Sequence, residues 1–359
     1  MSIGERPTIK DIAKASKVST ATVSRVLSKS DYPVSTALRE IVLNTAEQLN
    51  YIPNEYGKIL KLGVSNDIGV IVPSLSNPFY AETVSGIEVE CREQGYNPVF
   101  CSSNNDLSRE KEYMDHFLKK CMAGIMVSSI NQEVIKLYQE SENSPKIVLF
   151  DQANVDCDCI NVAYDFYMAG VIIAEYLIKK GHKDIAVLSA PIDRPSRKAR
   201  FDGLFETLKK HDIPLPKSRL FIRAYEENGS ITGMFEFDNG CELAKRFLET
   251  RCPSSAIVVS NDITAIGVIS ELAKKGCRIP EDKSVIGFDN INFSAMVTPP
   301  LTTVHQPSFE MGKLAAQLLL KKISNKSVKS VMLKPYIVER YSVNDIERRN
   351  HQKQVKTRK

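Results

Sequence analysis

The segment TIKDIAKASKVSTATVSRVL, residues 8–27, predicts two short helices joined by a tight turn. In the first helix, Ile9, Ile12 and Ala13 recur at the spacing of one helical face. Residues 16–18, Ser-Lys-Val, interrupt that pattern, and a second periodic stretch follows them. The periodicity therefore predicts a pair of helices near the start of the chain.

The second helix has one apolar and one polar face. Ser19 can cap its first turn, and Val23 and Val26 lie on the apolar face. The opposite face is small and polar, so it can approach base edges in a major groove, where Arg25 can fork onto guanine O6 and N7. The candidate DNA contacts are Thr8, Ser19, Thr20, Ala21, Thr22, Ser24, Arg25, Ser28 and Tyr32. Periodicity alone also fits a capped helical hairpin inside a larger core.

The same stretch closely resembles the DNA-binding headpiece of the LacI (lactose-repressor) family, whose typical text is TIKDVA followed by VS-x-x-TVSRVLN. The resemblance implies a helix-turn-helix that binds double-stranded operator DNA. Lys17 stands where the family usually has glycine in the turn, and Ser28 replaces asparagine after the second helix. We expect Lys17 to strain the turn slightly, because glycine alone adopts left-handed backbone angles without penalty.

A third predicted helix completes a headpiece of residues 1–53. Its apolar face consists of Leu38, Ile41, Val42, Thr45, Ala46 and Leu49. Residues 54–63 follow as a short helix-capable segment. By resemblance they form the family's hinge helix, in which Leu60 would wedge between base steps in the minor groove. Without the resemblance, an ordinary linker is the simpler interpretation.

From Asp67 onward, short β-branched runs alternate with amphipathic segments, which predicts parallel sheets flanked by helices. The predicted strands are IGVIV, NPVFC, AGIMV, KIVLF, DIAVL, RLFIR, AIVVS and SVIGF. Two such sets indicate an α/β body of two Rossmann-like subdomains over residues 64–345. The segments that match LacI-family signatures are SNPFY (76–80), GHKDIAVLS (181–189), SND (260–262), VIGFDN (285–290) and PPLTTVHQP (299–307).

The resemblance implies the fold of the periplasmic sugar-binding proteins, in which the chain crosses three times between subdomains. We expect the crossings near residues 160, 291 and 322. The N-subdomain then comprises residues 64–160 and 292–322, and the C-subdomain comprises residues 161–291 and 323–345. Residues 346–359 are expected to form a basic, disordered tail.

Ligands of open parallel sheets bind outside the carboxyl ends of the strands, so residues that follow strands are the candidates. Carboxylates, an amide and an arginine beside aromatic rings can bind sugar hydroxyls and cover an apolar sugar face. Arg194 and Arg200 fit a phosphate or carboxylate equally well, and Asp262 and Asn290 can instead cap the helix or turn after them. By resemblance, the effector contacts are Phe79, Asp151, Asp165, Ser196, Arg200, Phe235, Asn261 and Asp289, and Tyr80 is a further aromatic candidate after the first strand.

The net charge of +5 is unevenly distributed along the 359 residues. Residues 1–62 hold nine Lys or Arg against six Asp or Glu, and residues 346–359 hold six against one, which leaves the middle slightly acidic. This distribution fits a protein whose basic N-terminal segment binds DNA phosphates while its slightly acidic body does not contact DNA. The tail lacks leucine heptads, so we expect a homodimer without a further coiled-coil layer.

No signal peptide or membrane-spanning run is recognisable, which predicts a cytoplasmic, nucleoid-associated protein without a membrane partner. The eight cysteines lack the spacing of metal ligands, so we expect reduced structural thiols, no metal and no cofactor. Cys157 and Cys159 form the one close pair, and a redox or metal role is the alternative for them.

These observations predict a transcriptional regulator, a repressor by type, whose operator affinity is controlled by a sugar-like effector. A solute-binding protein of the same fold without a regulatory role is one alternative, which the attached headpiece disfavours. A purine-dependent, co-repressor type of regulator is another. An enzyme is not indicated, because GxGxxG, P-loop, GxSxG and HExxH motifs are missing from the sequence.

Overall fold

The computed structural model describes residues 7–28, 32–52, 65–129, 132–139, 146–152, 159–223 and 235–346. The chain divides into two compact units, Met1–Ser65 and Asn66–Lys359, called here the headpiece and the body. The predicted hinge with Leu60, the cysteine Cys157 and tail residues 347–359 lie outside the described residues. Within these ranges, every helix is too short or too polar to cross a membrane.

The described part of the headpiece contains α1 (Ile9–Ser16), α2 (Thr20–Leu27) and α3 (Thr36–Gln48). The predicted helix pair and third helix are therefore confirmed. The Ser19 hydroxyl accepts a hydrogen bond from the Thr22 backbone N–H at 3.1 Å and caps α2, as expected from the sequence. The buried core between the three helices consists of Ile12, Ala13, Val23, Val26, Val42 and Ala46.

The apolar face predicted for α3 is only partly buried. Val42 and Ala46 lie in the headpiece core, whereas Leu38 and Ile41 are 37% and 47% exposed. A small domain has little interior relative to its surface. Three short helices therefore cover fewer apolar positions than the sequence pattern offers.

The body is built on two six-stranded sheets. The first, in the order β11-β5-β4-β3-β1-β2 and parallel throughout, contains β1 (Asp67–Val72), β2 (Asn97–Ser102), β3 (Gly124–Val127), β4 (Ile147–Phe150), β5 (Ile160–Tyr164) and β11 (Val331–Leu333). The second, in the order β12-β10-β9-β8-β6-β7, contains β6 (Ile185–Ser189), β7 (Leu220–Ile222), β8 (Ala256–Val259), β9 (Ser284–Asp289), β10 (Thr302–His305) and the antiparallel β12 (Tyr336–Val338). All eight predicted strands are present.

Both faces of each sheet are covered, because alternate strand residues enter different cores. In β1, Val70 and Val72 belong to one buried cluster and Ile71 to another. Strands that are buried on both faces have nearly continuous apolar sequences, as these strands do. The covering helices are α4 (Pro78–Glu93), α5 (Leu107–Lys119), α6 (Gln132–Gln139), α7 (Phe166–Lys179), α8 (Pro195–Lys210), α9 (Phe235–Glu249), α10 (Asp262–Lys274) and α11 (Ser308–Ile323).

The chain crosses between subdomains later than predicted. β5 still belongs to the first sheet, β10 belongs to the second, and β11 returns to the first before β12 joins the second. The crossings therefore follow residues 164, 305 and 333 rather than lying near 160, 291 and 322. The four strands that the sequence analysis missed flank these crossings, and runs such as TTVH are too short and too polar for a strong strand signal.

Side chains link the strands at the crossings. The Tyr164 hydroxyl at the end of β5 donates a hydrogen bond to the His305 carbonyl at the end of β10, at 2.9 Å. The His305 ring packs on the ring of Tyr336, the first residue of β12, with 4.7 Å between centroids. Residues from all three crossings therefore meet in one cluster.

Three helix pairs in the body pack backbone against backbone: α4 with α11, α7 with α8, and α9 with α10. In each pair, a glycine on either helix faces a carbonyl oxygen of the other helix, and a Cβ built there would overlap that oxygen. Larger residues would therefore push the helices apart. The reciprocal glycines are Gly86 with Gly312, Gly170 with Gly203, and Gly240 with Gly267.

Gly203→Ala should lower the free energy of unfolding of the body by about 1–3 kcal/mol, the usual range for overpacking. The added methyl group would overlap the Tyr167 carbonyl oxygen and displace α8 from α7. Urea unfolding followed by circular dichroism measures the change. Lys209→Ala, at an exposed position of the same helix, should stay within about 0.5 kcal/mol of wild type. Equal stabilities for the two variants would contradict the close contact.

Lys17→Gly should stabilise the headpiece by about 0.5–1 kcal/mol. Lys17 caps α1 with φ 55° and ψ 36°, a left-handed conformation. This conformation costs a non-glycine residue roughly 1–2 kcal/mol. The greater entropy of glycine in the unfolded chain offsets part of the stability that the substitution gains. Native-state hydrogen exchange of the headpiece amides in the full chain measures it. Lys14→Gly, at an exposed right-handed position inside α1, should have the opposite sign and cost about 1 kcal/mol.

Candidate functional site

A polar cavity of about 80 Å³ lies between the two subdomains, at the carboxyl ends of their parallel strands. This location follows the rule for open parallel sheets. The predicted effector residues that line it are Phe79, Tyr80, Asp151, Ser196, Arg200, Asn261 and Asp289. Arg194, a candidate for binding an anion, also lines it, and the lining residues that were not predicted are Asn77, Ala190, Arg197, Glu236, Asn239, Ser260, Thr264 and Gln306.

The structure does not bring Asp165 and Phe235 to this cavity. The Asp165 carboxylate accepts a hydrogen bond from the Met168 backbone N–H at 2.9 Å and caps α7. Phe235 is the first residue of α9 and is half-buried. Helix capping thus directs the Asp165 carboxylate toward the backbone of α7 and not toward the cavity.

Asp151 lies on the N-subdomain side of the cavity, directly after β4. It is held with a positive φ of 56°, and its carboxylate accepts a hydrogen bond from the Tyr80 hydroxyl at 2.9 Å. Burial raises the pKa of Asp151 to about 6, and the hydrogen bond from Tyr80 opposes that shift. The pair is therefore a buried acceptor whose charge changes in the mildly acidic range.

Glu236 joins the two subdomains and was missed by the sequence analysis. Its carboxylate accepts hydrogen bonds from the Asn77 side-chain amide at 2.9 Å and from the Asn261 side-chain amide at 2.8 Å. The two asparagines cap α4 and α10, so the carboxylate lies near two helix N-termini, which favour negative charge. Burial raises the pKa of Glu236 nonetheless. Glu236 thus links opposite walls of the cavity.

Asp289 and Arg200 form the C-subdomain wall. The Arg200 guanidinium lies 4.0 Å from the centroid of the Phe288 ring and donates a hydrogen bond to the Ser260 carbonyl at 2.7 Å. Asp289 accepts a hydrogen bond from the Gln306 side-chain amide at 3.2 Å. Burial, reinforced by the charge of Asp262, raises the pKa of Asp289 well above its ordinary value.

Asp262 is fully buried and holds the turn after β9 instead of facing the cavity. Its carboxylate accepts hydrogen bonds from the Ser294 hydroxyl at 2.6 Å, the Thr303 hydroxyl at 2.6 Å and the Ile291 backbone N–H at 3.1 Å. Asn261, rather than Asp262, caps α10. The alternative stated for Asp262, a cap of the helix or turn that follows it, is therefore wrong, because its carboxylate holds the distant turn after β9.

The polar face of α2 is exposed in the headpiece, as predicted for a DNA-reading helix. The guanidinium of Arg25 lies 3.9 Å from the centroid of the Tyr32 ring, which is 54% exposed. The hydroxyls of Thr8, Ser19 and Thr22 bind within the caps of α1 and α2. The exposed residues of the reading face are Thr20, Ala21, Ser24, Arg25 and Ser28.

A model for bacterial regulatory proteins of the lacI family matches residues 8–54, and a periplasmic binding protein-like domain model matches residues 174–343. The HTH-type transcriptional repressor PurR of Mannheimia succiniciproducens is 33% identical over 94% of this chain and 99% of its own length. The chain belongs to the LacI family. The ribose operon repressor of Escherichia coli K12 is 32% identical over 93% of this chain and 99% of its own. The predicted class, a LacI-family DNA-binding transcriptional regulator, is confirmed.

Solved structures confirm the predicted fold of this LacI-family regulator. The Lac repressor dimer bound to operator and the anti-inducer ONPF has a TM-score of 0.83, with 24% identity over 95% of this chain and 100% of that chain. A LacI-family regulator from Enterococcus faecium with bound ribose has a TM-score of 0.67, with 26% identity over 78% of this chain and 99% of that one.

Asp151→Asn should change how stability depends on pH between about pH 4 and 6. The folded-state pKa of Asp151, about 6, exceeds its ordinary value of 3.8. The folded protein therefore binds the extra proton in this window, and this carboxyl makes the free energy of unfolding fall as pH rises. The difference between variant and wild type should grow by at most about 1.4 kcal/mol per pH unit and level off above the window.

Urea unfolding at a series of pH values measures this difference. Tyr80→Phe removes the hydrogen bond that lowers the pKa of Asp151, so it should extend the upper end of the same window to higher pH. A pH profile of Asp151→Asn that runs parallel to wild type throughout would contradict the prediction.

Proposed function

We propose that this regulator is a homodimeric, cytoplasmic repressor whose operator affinity is set by a small sugar-like effector in the cavity. The observation that carries the proposal is the cavity lining, in which carboxylates and amides from both subdomains and three arginines from the C-subdomain converge beside Phe79. Such a lining suits a compact ligand with several hydroxyls. Because Glu236 already bridges the two walls, an occupant that alters this bridge would alter the angle between the subdomains.

We assign the functions to successive segments of the chain. Residues 1–53 read the operator through α2, residues 54–63 form the hinge with Leu60 in the minor groove, and the body from residue 64 to about 345 binds effector and dimerises. Arg25 is the proposed base-reading side chain. Its exposed position on α2 beside Tyr32 supports that role, because a forked guanidinium distinguishes guanine in the major groove.

A purine co-repressor is the second candidate. The similarity to the PurR repressors favours it, as does the pair of rings at the cavity, where Phe79 meets Tyr80 edge-on with 5.0 Å between centroids. A flat heterocycle would stack on such a ring. The two candidates differ in the ligand and agree on the site.

An operator selected from random DNA should bind the full chain at fixed salt, and D-ribose or hypoxanthine should shift that affinity, as measured by fluorescence anisotropy. Asp289→Ala should abolish the response to ligand while it leaves operator affinity intact. Arg25→Ala should instead cost roughly 1–3 kcal/mol at the operator and relax preference at one base pair in each half-site. Binding without sequence preference would contradict the proposal that the headpiece reads a specific operator. A response to hypoxanthine alone would show that the effector is a purine and not a sugar.

A further inference from the structure

The carboxyl ends of α7 and α8 bring a group of lysines to one edge of the second sheet. α7 leads into β6 and α8 leads into β7, and these two strands are parallel neighbours, with Val187 paired to Leu220. The two links that precede the strands therefore lie side by side at the amino edge of the sheet, opposite the edge that faces the cleft. We call the exposed lysines of these links the basic face: Lys179, Lys183, Lys209, Lys210 and Lys217.

The two links carry a large excess of positive charge. Residues 179–184 and 209–219 hold seven Lys or Arg against two Asp. One of these two, Asp184, is already paired with Arg219 at 2.8 Å. The five lysines of the basic face form no ion pair with a carboxylate of the described residues. The slightly acidic average of the body therefore conceals one strongly basic surface.

The sequence adds more positive charge where the described chain ends. Ile346, the last described residue, donates its backbone N–H to the Lys180 carbonyl at 2.9 Å. The tail is therefore attached beside the basic face. Residues 347–359 hold six Lys or Arg against one Glu. Such basic runs are typical of arms that bind nucleic acid.

Helix polarity accounts for only part of the basic face. Positive side chains are favoured at the carboxyl ends of helices, which explains Lys179, Lys209 and Lys210. Lys183 lies beyond the end of α7, and Lys217 begins a short 3-10 helix, at the end where positive charge is not favoured. Like charges that lack counter-charges also repel one another. A polyanion would neutralise this surface.

Duplex DNA is the polyanion that this surface suits. It carries one negative charge for about every 1.7 Å of its axis, and lysines bind its phosphates without reading the sequence. The chain belongs to a family of DNA-binding regulators. Once a headpiece is bound to its operator, nearby DNA is present at a raised effective concentration. A surface of weakly bound lysines can then hold it.

We propose that the basic face is a second, sequence-independent binding surface for duplex DNA, which allows a protein bound at its operator to hold another segment of DNA. The contacts are with phosphates, so they weaken steeply as salt increases. This role goes beyond operator binding under effector control, and it does not depend on the identity of the effector.

Fluorescence anisotropy of the full chain with a duplex of about 40 base pairs and unrelated sequence tests the surface. The combined substitutions Lys183→Gln, Lys209→Gln and Lys217→Gln should weaken binding about tenfold or more at roughly 50 mM salt. They should also lower the slope of log affinity against log salt by about 0.9 for each phosphate contact that is lost. The headpiece is unchanged in this variant, so its own binding is common to both proteins.

The combined substitutions Lys111→Gln, Lys245→Gln and Lys334→Gln form the matched control. They remove the same charge from exposed positions of the body outside the basic face. This variant should bind the unrelated duplex as wild type does. Thermal unfolding verifies that both variants are folded.

A capture assay tests whether the surface holds a second segment of DNA. The full chain, saturated with immobilised operator, should retain a labelled duplex of unrelated sequence at about 50 mM salt and release it at about 200 mM. The variant of the basic face should not retain it, although its operator affinity should equal that of wild type. Unlabelled duplex should displace the labelled one more effectively than poly-L-glutamate of the same total charge.

The outcomes separate this proposal from the proposed function. Equal affinities and salt slopes for the two triple variants overturn the basic face as a DNA-binding surface and leave operator control by an effector in place. If wild type on its operator captures no second duplex, the role in holding another segment is wrong. If poly-L-glutamate displaces the duplex more effectively than DNA does, the surface binds an acidic protein and the proposal is wrong.

Discussion

Buried carboxylates at one cleft constrain the rest of this structure. Asp151, Glu236 and Asp289 lie together between two subdomains, and isolated buried charges are costly unless donors surround them. Those donors come from distant parts of the chain: Tyr80 for Asp151, Asn77 and Asn261 for Glu236. The arrangement is stable only when both sheets present their carboxyl edges to the same space. The cleft is therefore a product of the whole body rather than of one loop.

The parts of the fold that were predictable from the sequence are those with a strong local signal. Apolar runs such as IGVIV and AIVVS became buried strands, and the helix pair over residues 8–27 formed with the expected cap at Ser19. The predicted crossings lie too early because β5 and β10 carry polar residues and give a weak strand signal. β5 pairs with β11 and β10 pairs with β12, and pairing between strands far apart in the chain leaves no local pattern.

The candidate site was predictable where a side chain directly follows a strand. Asp151 directly follows β4, Asp289 ends β9, and both line the cavity. Gln306 also directly follows a strand, β10, but the sequence pattern of β10 is too weak to predict that strand. Glu236 lies in the first turn of α9, where the rule for strand ends does not apply. The ends of predicted strands therefore identify one kind of site residue and miss those at helix starts and after strands with a weak sequence pattern.

The reciprocal glycines between paired helices have a consequence for how such a protein can diversify. Because Gly86, Gly170, Gly240 and their partners admit carbonyl oxygens of the opposite helix, the helix spacing behind each sheet is set by the backbone and not by side chains. Substitutions among the side chains at the strand ends leave that spacing unchanged. A descendant of this chain can thus acquire a different ligand through changes at the cleft, while the scaffold behind it is inherited intact.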